Sequence, residues 1–269
     1  MKRKIGLHVA CLIDNDIVQS VRKCIASEER FSPTRLSRND RVRVKYATSV
    51  VRVLSNLYKR VEIVTAASAS MRTVAELLHL QPDVVFNLAF SSHPAEAPMA
   101  GCLDWIGIPY TGSGPLGIAL ASDKALARRV LHSVGVRTPR FVELCPNAPV
   151  AVDIDPPLIV KPVSLASSVG LHARSVVTRR EDVAPLASEI WGRYGMGAIC
   201  EEFIVGREFR AALVETKGGG VRMAGVTEWH FGAAAPGWGF RTEAQRSSPS
   251  VMIVIQIFKA RSPRLKSGL

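Results

Sequence analysis

Leu158–Gly170, LIVKPVSLASSVG, is the stretch on which the reading of the fold turns. It opens on an apolar, partly β-branched run, Leu158-Ile159-Val160, which has the character of a buried strand. Lys161 and Pro162 follow at once. A lysine leaving a buried strand is held by the backbone while its ammonium points into a cleft. Behind it comes a small-residue loop, Ser164-Leu165-Ala166-Ser167-Ser168-Val169-Gly170. Small residues let backbone N–H groups approach an anion closely, and serine hydroxyls add donors. A fixed lysine beside such a loop suits a triphosphate. The competing reading is a strand that ends in a polar turn. The pattern GxxxxGK[ST] is absent, so this is not a Walker loop.

Downstream, residues 181–194 read as a helix and Gly195–Gly197 as a turn. Ala198-Ile199-Cys200 reads as a strand that runs into Glu201-Glu202-Phe203-Ile204, then Gly206-Arg207-Glu208-Phe209-Arg210. Ala211–Glu215 and Val221–Val226 read as two strands joined by a glycine-rich hairpin turn at Lys217–Gly220. Upstream, Asn147–Pro157 is a proline-rich loop. Gly107–Gly117, GIPYTGSGPLG, carries four glycines and two prolines and reads as an irregular turn. Ala119–Val134 then reads as one helix with Ser122-Asp123-Lys124 in its first half. Lys124 is the second lysine of interest; on its own it reads as a solvated helix surface.

Nearer the start, residues 5–13, Val61–Val64 and Asp83–Leu88 read as strands. Residues 16–30, Val44–Lys59, Met71–His79 and Pro98–Ile106 read as helices, and Phe31–Arg41 as a loop. Strands alternating with helices favour a parallel sheet covered by helices.

The 269 residues are 47% apolar and 22% charged, the balance of an ordinary globular protein. No apolar run approaches the roughly 18 residues of a membrane span. The opening MKRKIGLHVACLIDND has basic residues before an apolar run. Asp14 and Asp16 end that run and no small-residue cleavage site follows, so it reads as a first strand rather than a signal peptide. Five cysteines at 11, 24, 102, 145 and 200 are widely spaced with no CxxC. They suggest neither a disulfide framework nor a zinc site, which implies a reducing, cytoplasmic setting. The net charge is +12, with local excess at Arg35, Arg38, Arg41, Arg43 and Lys45. A second basic group follows Glu243: Arg246, Lys259, Arg261, Arg264 and Lys266. No aromatic-interleaved patch or nucleic-acid motif accompanies the charge, so a nucleic-acid partner is not expected.

Four segments agree in order and spacing: GIPYTGSG with DKALARR, then LIVKPVSLASSVG, then ICEEFIVGREF. Together, over roughly Asp83 to Glu243, they resemble the ATP-grasp ligases, most closely the D-alanine–D-alanine ligase family. The resemblance implies a mixed α/β and α+β fold. An N-terminal α/β (pre-ATP-grasp) domain over 1–115 is followed by an ATP-grasp N-lobe over 116–195 and a partial C-lobe over 196–269. It implies ATP-dependent carboxylate–amine ligation through an acyl phosphate, with ATP and small amino-acid or carboxylate substrates as partners and a homodimer as one open assembly. It places Lys124 and Lys161 on the nucleotide phosphates and Ser167-Ser168 in a phosphate-covering loop, with Ser167 as the candidate catalytic residue. Glu201, Glu202, Phe203 and Ile204 match the hinge whose backbone pairs with the adenine edge. Glu208 matches the acid that holds the ribose hydroxyls, where a carboxylate can accept two hydrogen bonds.

The sequence also departs from the family. The family's Gly-Gly-x-Ser-x-Glu turn is replaced by Leu12-Ile13-Asp14-Asn15-Asp16. After Asn87, Ala89–Glu96 replaces a His-Gly…Gly-Glu-Asp-Gly pattern, and His93 and Glu96 read as part of a surface loop. Thr227–Arg246 resembles the family's mobile lid, with Gln245 where a lysine is usual. The family's magnesium is expected as a cofactor, but the aspartate, glutamate and Glu-x-Asn pair that hold it are not found, since no acid follows Glu243. Val251–Phe258 reads as part of an aberrant basic end. The alternative to an active ligase is an inactive nucleotide-binding remnant or regulatory protein.

Overall fold

The computed structural model describes residues 4–27, 37–66, 71–89, 96–166, 168–216, 219–231, 240, 242 and 251–256. Its first unit is built on β1 (Ile5–Asp14), followed by α1 (Val18–Ala26), α2 (Arg38–Leu57), β2 (Tyr58–Ala66), α3 (Met71–Leu80), β3 (Val84–Asn87) and α4 (Glu96–Ile106). The strands form a parallel sheet in the order β2-β1-β3. Along β1, side chains alternate between two cores. Val9, Cys11 and Ile13 meet Val18, Val21, Val44, Val51 and Leu54 of α1 and α2. Ala10 and Leu12 meet Leu77 of α3 and Leu103 of α4. Helices on both faces are what a parallel sheet requires, because both faces are apolar. The helix α2 begins at Arg38, inside the segment expected as a loop, because the Ser37 hydroxyl accepts from Asp40 N–H at 3.1 Å and caps the first turn.

The segment expected as one helix at Ala119–Val134 is two. Helix α5 (Pro115–Ser122) starts inside the expected turn, with Pro115 in its first turn. It stops at Asp123, whose backbone is extended, and α6 (Lys124–Ser133) begins at once. The Asp123 carboxylate accepts from Leu126 N–H at 2.8 Å, which satisfies one of the new helix's open donors.

A second sheet joins β4 (Phe141–Leu144), β5 (Leu158–Pro162), β6 (Val176–Val177) and β7 (Ala198–Glu202) in the order β4-β7-β5-β6. Helix α7 (Val183–Tyr194) covers one face. Leu158, Val160, Ala198 and Cys200 pack there against Val183, Leu186, Ala187 and Ile190. The division expected at 195/196 falls just before β7, yet β7 is hydrogen-bonded to both β4 and β5, so this sheet continues to Glu202. Two of the five cysteines, all free, lie in these sheets fully buried: Cys11 in the first and Cys200 in the second. Burial pushes both thiols up to about 12, and the Glu201 charge adds to the shift at Cys200.

The third sheet is antiparallel, in the order β10-β9-β8, from β8 (Glu208–Glu215), β9 (Val221–Phe231) and β10 (Val251–Gln256). Both hairpin strands are longer than expected: β8 starts at Glu208 and β9 continues to Phe231. Val251–Gln256, expected as part of an aberrant end, pairs with β9 from Phe231 to Val226. No described helix is long and apolar enough to cross a membrane.

Candidate functional site

The second sheet's other face carries the chemistry. Strand periodicity sends Leu158 and Val160 to α7 and leaves Ile159 and Lys161 on the opposite side. In the antiparallel partner, Ala198 and Cys200 face α7 while Ile199 and Glu201 face away. The register pairs Ile159 with Glu201 and Lys161 with Ile199. Lys161 and Glu201 are therefore diagonal neighbours on one face, and they form an ion pair. The Glu201 side chain is only 2% exposed. Its other oxygen, Oε1, accepts from Arg128 Nε of α6 at 3.0 Å. A carboxylate so buried would be costly alone; two cations and directed hydrogen bonds offset that cost.

Lys124 opens α6 and is not the solvated surface lysine that its sequence context alone suggests. Its ammonium donates to the carbonyl oxygens of Leu165 at 2.5 Å, Pro162 at 2.8 Å and Val163 at 3.3 Å. Three donors thus meet three acceptors. Its backbone N–H also donates to Val163 O at 3.0 Å. Lys124 ties the end of β5 and the start of the small-residue loop to α6. Burial and then the positive charge of Lys161 lower its pKa to about 8, with Arg128 lowering it further and Glu201 opposing. Ala125, next along α6, packs on Val163 and Ile199 and holds the helix end against the sheet.

The loop after β5 closes on itself. Ser168 has φ +60 and Gly170 φ +79. A Cβ on Gly170 would come within 2.7 Å of Pro162 Cγ, so glycine is required by space as well as by backbone conformation. Ser167 lies outside the described residues.

Beyond β7, Glu202 N–H donates to Arg140 O and Phe203 N–H to Pro157 O, both at 2.9 Å. Phe203 packs with Leu171 against Ile159, Val176 and Phe240, and its ring meets Phe240 edge-on at 5.9 Å. Ile204 is 60% exposed. Glu208 starts β8 opposite Trp229 and is exposed. Next to it, Arg207 binds Glu228 through two nitrogens at 2.6 and 2.8 Å and stacks over Phe209. The structure therefore brings Lys124, Lys161 and Glu201 together and sets Phe203 beside an apolar patch on the same sheet face. Glu208 stands on the third sheet.

No family model matches the chain. A D-alanine–D-alanine ligase of Chelativorans sp. (strain BNC1) is 37% identical over 166 residues, 58% of this chain and 49% of the relative. One of Gluconobacter oxydans (strain 621H) is 35% identical over 162 residues, again 58% of this chain and 49% of the relative. The chain thus spans about half the length of these curated relatives. The solved D-alanine–D-alanine ligase of Bacillus anthracis superposes with a TM-score of 0.64 at 18% identity, covering 94% of this chain and 72% of that one. Its structure complexed with ATP gives 0.62 at 16% identity, covering 94% and 71%. The chain has the ATP-grasp fold and resembles the D-alanine–D-alanine ligases over the part that is matched.

In this ATP-grasp chain, Arg128 is the site residue that sequence reasoning missed. The signal was present: it lies four residues after Lys124, on the same helix face. The acids at the departed first turn are engaged elsewhere. Arg43 of α2 binds Asp14 at 2.5 Å, Asp16 at 2.6 Å and Asp40 at 3.1 Å. Glu96 opens α4 rather than lying in a loop, and its pKa is raised by burial and by Asp14. His93 and Gln245 lie outside the described residues. Among the described residues, no group of three or more His, Cys, Asp or Glu is placed to hold a metal ion. Around Lys161 the buried Glu201 carboxylate already serves two cations, so the described residues of this sheet face do not fit magnesium.

Proposed function

We propose that this chain is the nucleotide-binding part of an ATP-dependent carboxylate–amine ligase of the D-alanine–D-alanine type. In that reaction the γ-phosphoryl group of ATP passes to a carboxylate. An amine then attacks the acyl phosphate, forming the peptide bond and releasing phosphate. Lys161 and Lys124 bind the phosphates, Lys124 by turning one of its three donors away from the carbonyls of Pro162, Val163 and Leu165. Ser168, with Ser167 beside it as the candidate catalytic residue, belongs to the loop that covers them. Glu201 to Ile204 receive the adenine, and Glu208 the ribose hydroxyls. The observation that carries this reading is the convergence of Lys161 and Arg128 on the buried carboxylate Glu201, with the Lys124 ammonium near enough to interact with all three charges. Three cations around one anion leave a surplus of positive charge in a partly desolvated place, which a polyanion can balance.

The 269 residues as given bind ATP and turn it over little by themselves. No acid follows Glu243, so the magnesium ligands that the family resemblance calls for are not among residues 244–269. A second reading, a nucleotide-binding protein with a regulatory role, is supported by the Glu201 carboxylate, whose two oxygens are both taken by Arg128 and Lys161. Two measurements test these readings. Calorimetry with ATP and ADP should detect binding, and Lys161→Ala should weaken it by about 1.5–3 kcal/mol, the scale of a charge-assisted contact. Equal affinity for wild type and variant would remove Lys161 from the phosphates. Phosphate release from ATP with magnesium and a panel of amino acids, D-alanine included, should stay near background. Robust amino-acid-dependent release would overturn the low-turnover reading.

A further inference from the structure

The Glu201 carboxylate is divided. Oε2 meets Lys161 on its own sheet, and Oε1 meets Arg128 Nε from α6 at 3.0 Å. Glu201 is 2% exposed, Lys161 16% and Arg128 24%. A lysine paired with a carboxylate of its own is a poor anion ligand, because each donor turned to the anion is taken from a buried acid. A carboxylate shared with a second cation releases its lysine more readily. We propose that Arg128 is a positioning residue for Lys161: it holds Glu201 from the helix side, so that Lys161 can turn a donor to a bound phosphate chain.

This rests on the nucleotide-binding reading and adds a role for a residue that need not touch the ligand. Without Arg128, Oε1 of Glu201 would lose its donor in a buried place, and the carboxylate would turn wholly onto Lys161. The site would lose one positive charge and most of the reach of another. The effect therefore falls on phosphate recognition and spares the nucleoside. It also falls on Lys124, around which Lys161, Glu201, Arg128 and Asp123 are the charged groups. Removing Arg128 takes away one of the charges that disfavour the Lys124 ammonium.

The test measures binding of ATP, inorganic tripolyphosphate and adenosine to the whole chain by calorimetry across pH 7 to 10. For Arg128→Ala, ATP and tripolyphosphate affinity should fall about tenfold, the scale of one charged hydrogen bond. Adenosine affinity should stay at the wild-type level. The alkaline fall in ATP affinity should move to higher pH. Arg128→Lys should restore most of the phosphate affinity. If the alanine variant does not fold, Arg128→Gln keeps the bulk without the charge and should show the same loss and the same pH movement. Unchanged ATP affinity in a folded Ala or Gln variant overturns the inference and leaves the nucleotide reading standing. Equal losses for adenosine and tripolyphosphate also overturn it, since that marks a general disturbance. A wild type that binds neither ATP nor tripolyphosphate overturns the nucleotide reading itself.

Discussion

At the scale of single residues, the site is a problem in charge. Lys124 has its pKa lowered to about 8 by burial and by Lys161. The ammonium that would meet a phosphate is therefore partly lost in mildly alkaline solution. ATP affinity should decline as pH rises through 8 to 9, with protons taken up on binding, visible in calorimetry as a heat that varies with the buffer. For folding the sign is opposite. The unfolded chain holds the Lys124 proton up to its ordinary pKa near 10.4, whereas the folded chain releases it near 8. Between those values the unfolded state binds more protons, so this group's destabilising effect is full below 8 and fades as pH climbs towards 10.4. Glu201→Gln keeps the shape but leaves Lys161 and Arg128 without their counter-charge. It should cost about 3 kcal/mol in a urea unfolding curve, the low end for a broken buried pair because both cations still reach water. Glu201 and Lys124 became candidates only through the family resemblance, since Lys124 alone reads as a solvated helix surface, whereas Lys161 was legible from its own segment. Arg128 shares a helix face with Lys124, which was legible, but its partner was not: Glu201 is 73 residues away and is chosen by how α6 lies on the sheet.

At the scale of elements, the break between α5 and α6 matters most. Ala119–Val134 reads as continuous helix because both halves have helical spacing. What divides it is one carboxylate at Asp123 turning back on Leu126 N–H. That cap fixes where α6 begins, and so where the Lys124 ammonium lies. Asp123→Ala should cost about 1 kcal/mol of stability. It should also weaken ATP binding, measured alongside a urea unfolding curve. The loop after β5 gives a second case. Gly170→Ala meets both the Pro162 ring and an unfavourable φ, so it should destabilise by about 2 kcal/mol or more in the same assay. The alternation along Leu158–Lys161 was fully legible, since a strand's period assigns faces without reference to anything distant.

At the scale of the whole molecule, three sheets divide the labour. The parallel sheet was readable from alternating strands and helices, a local pattern repeated. The third sheet was less so: Val251–Gln256 joins the edge of β9, and edge pairing depends on which strand lies open rather than on the joining segment's sequence. In the second sheet both Leu158–Val160 and Ala198–Cys200 were legible as strands, while the register between them, which spans the whole of α7, was not. ATP at about a hundred times its dissociation constant should stabilise the fold by about 2.7 kcal/mol and raise the melting temperature accordingly. The two buried thiols offer a way to see where that stabilisation goes. With pKa values near 12, Cys11 and Cys200 expose roughly one thiolate in ten thousand at pH 8 even before access is considered. An alkylating reagent therefore reaches them through openings of the fold, while Cys145, which is exposed, reacts at once. Mass-resolved labelling turns the pair into two clocks, one in each of the first two sheets. Under the nucleotide reading, ATP should slow the Cys200 clock, which ticks on the reverse side of the strand that carries Glu201, and leave that of Cys11 nearly unchanged.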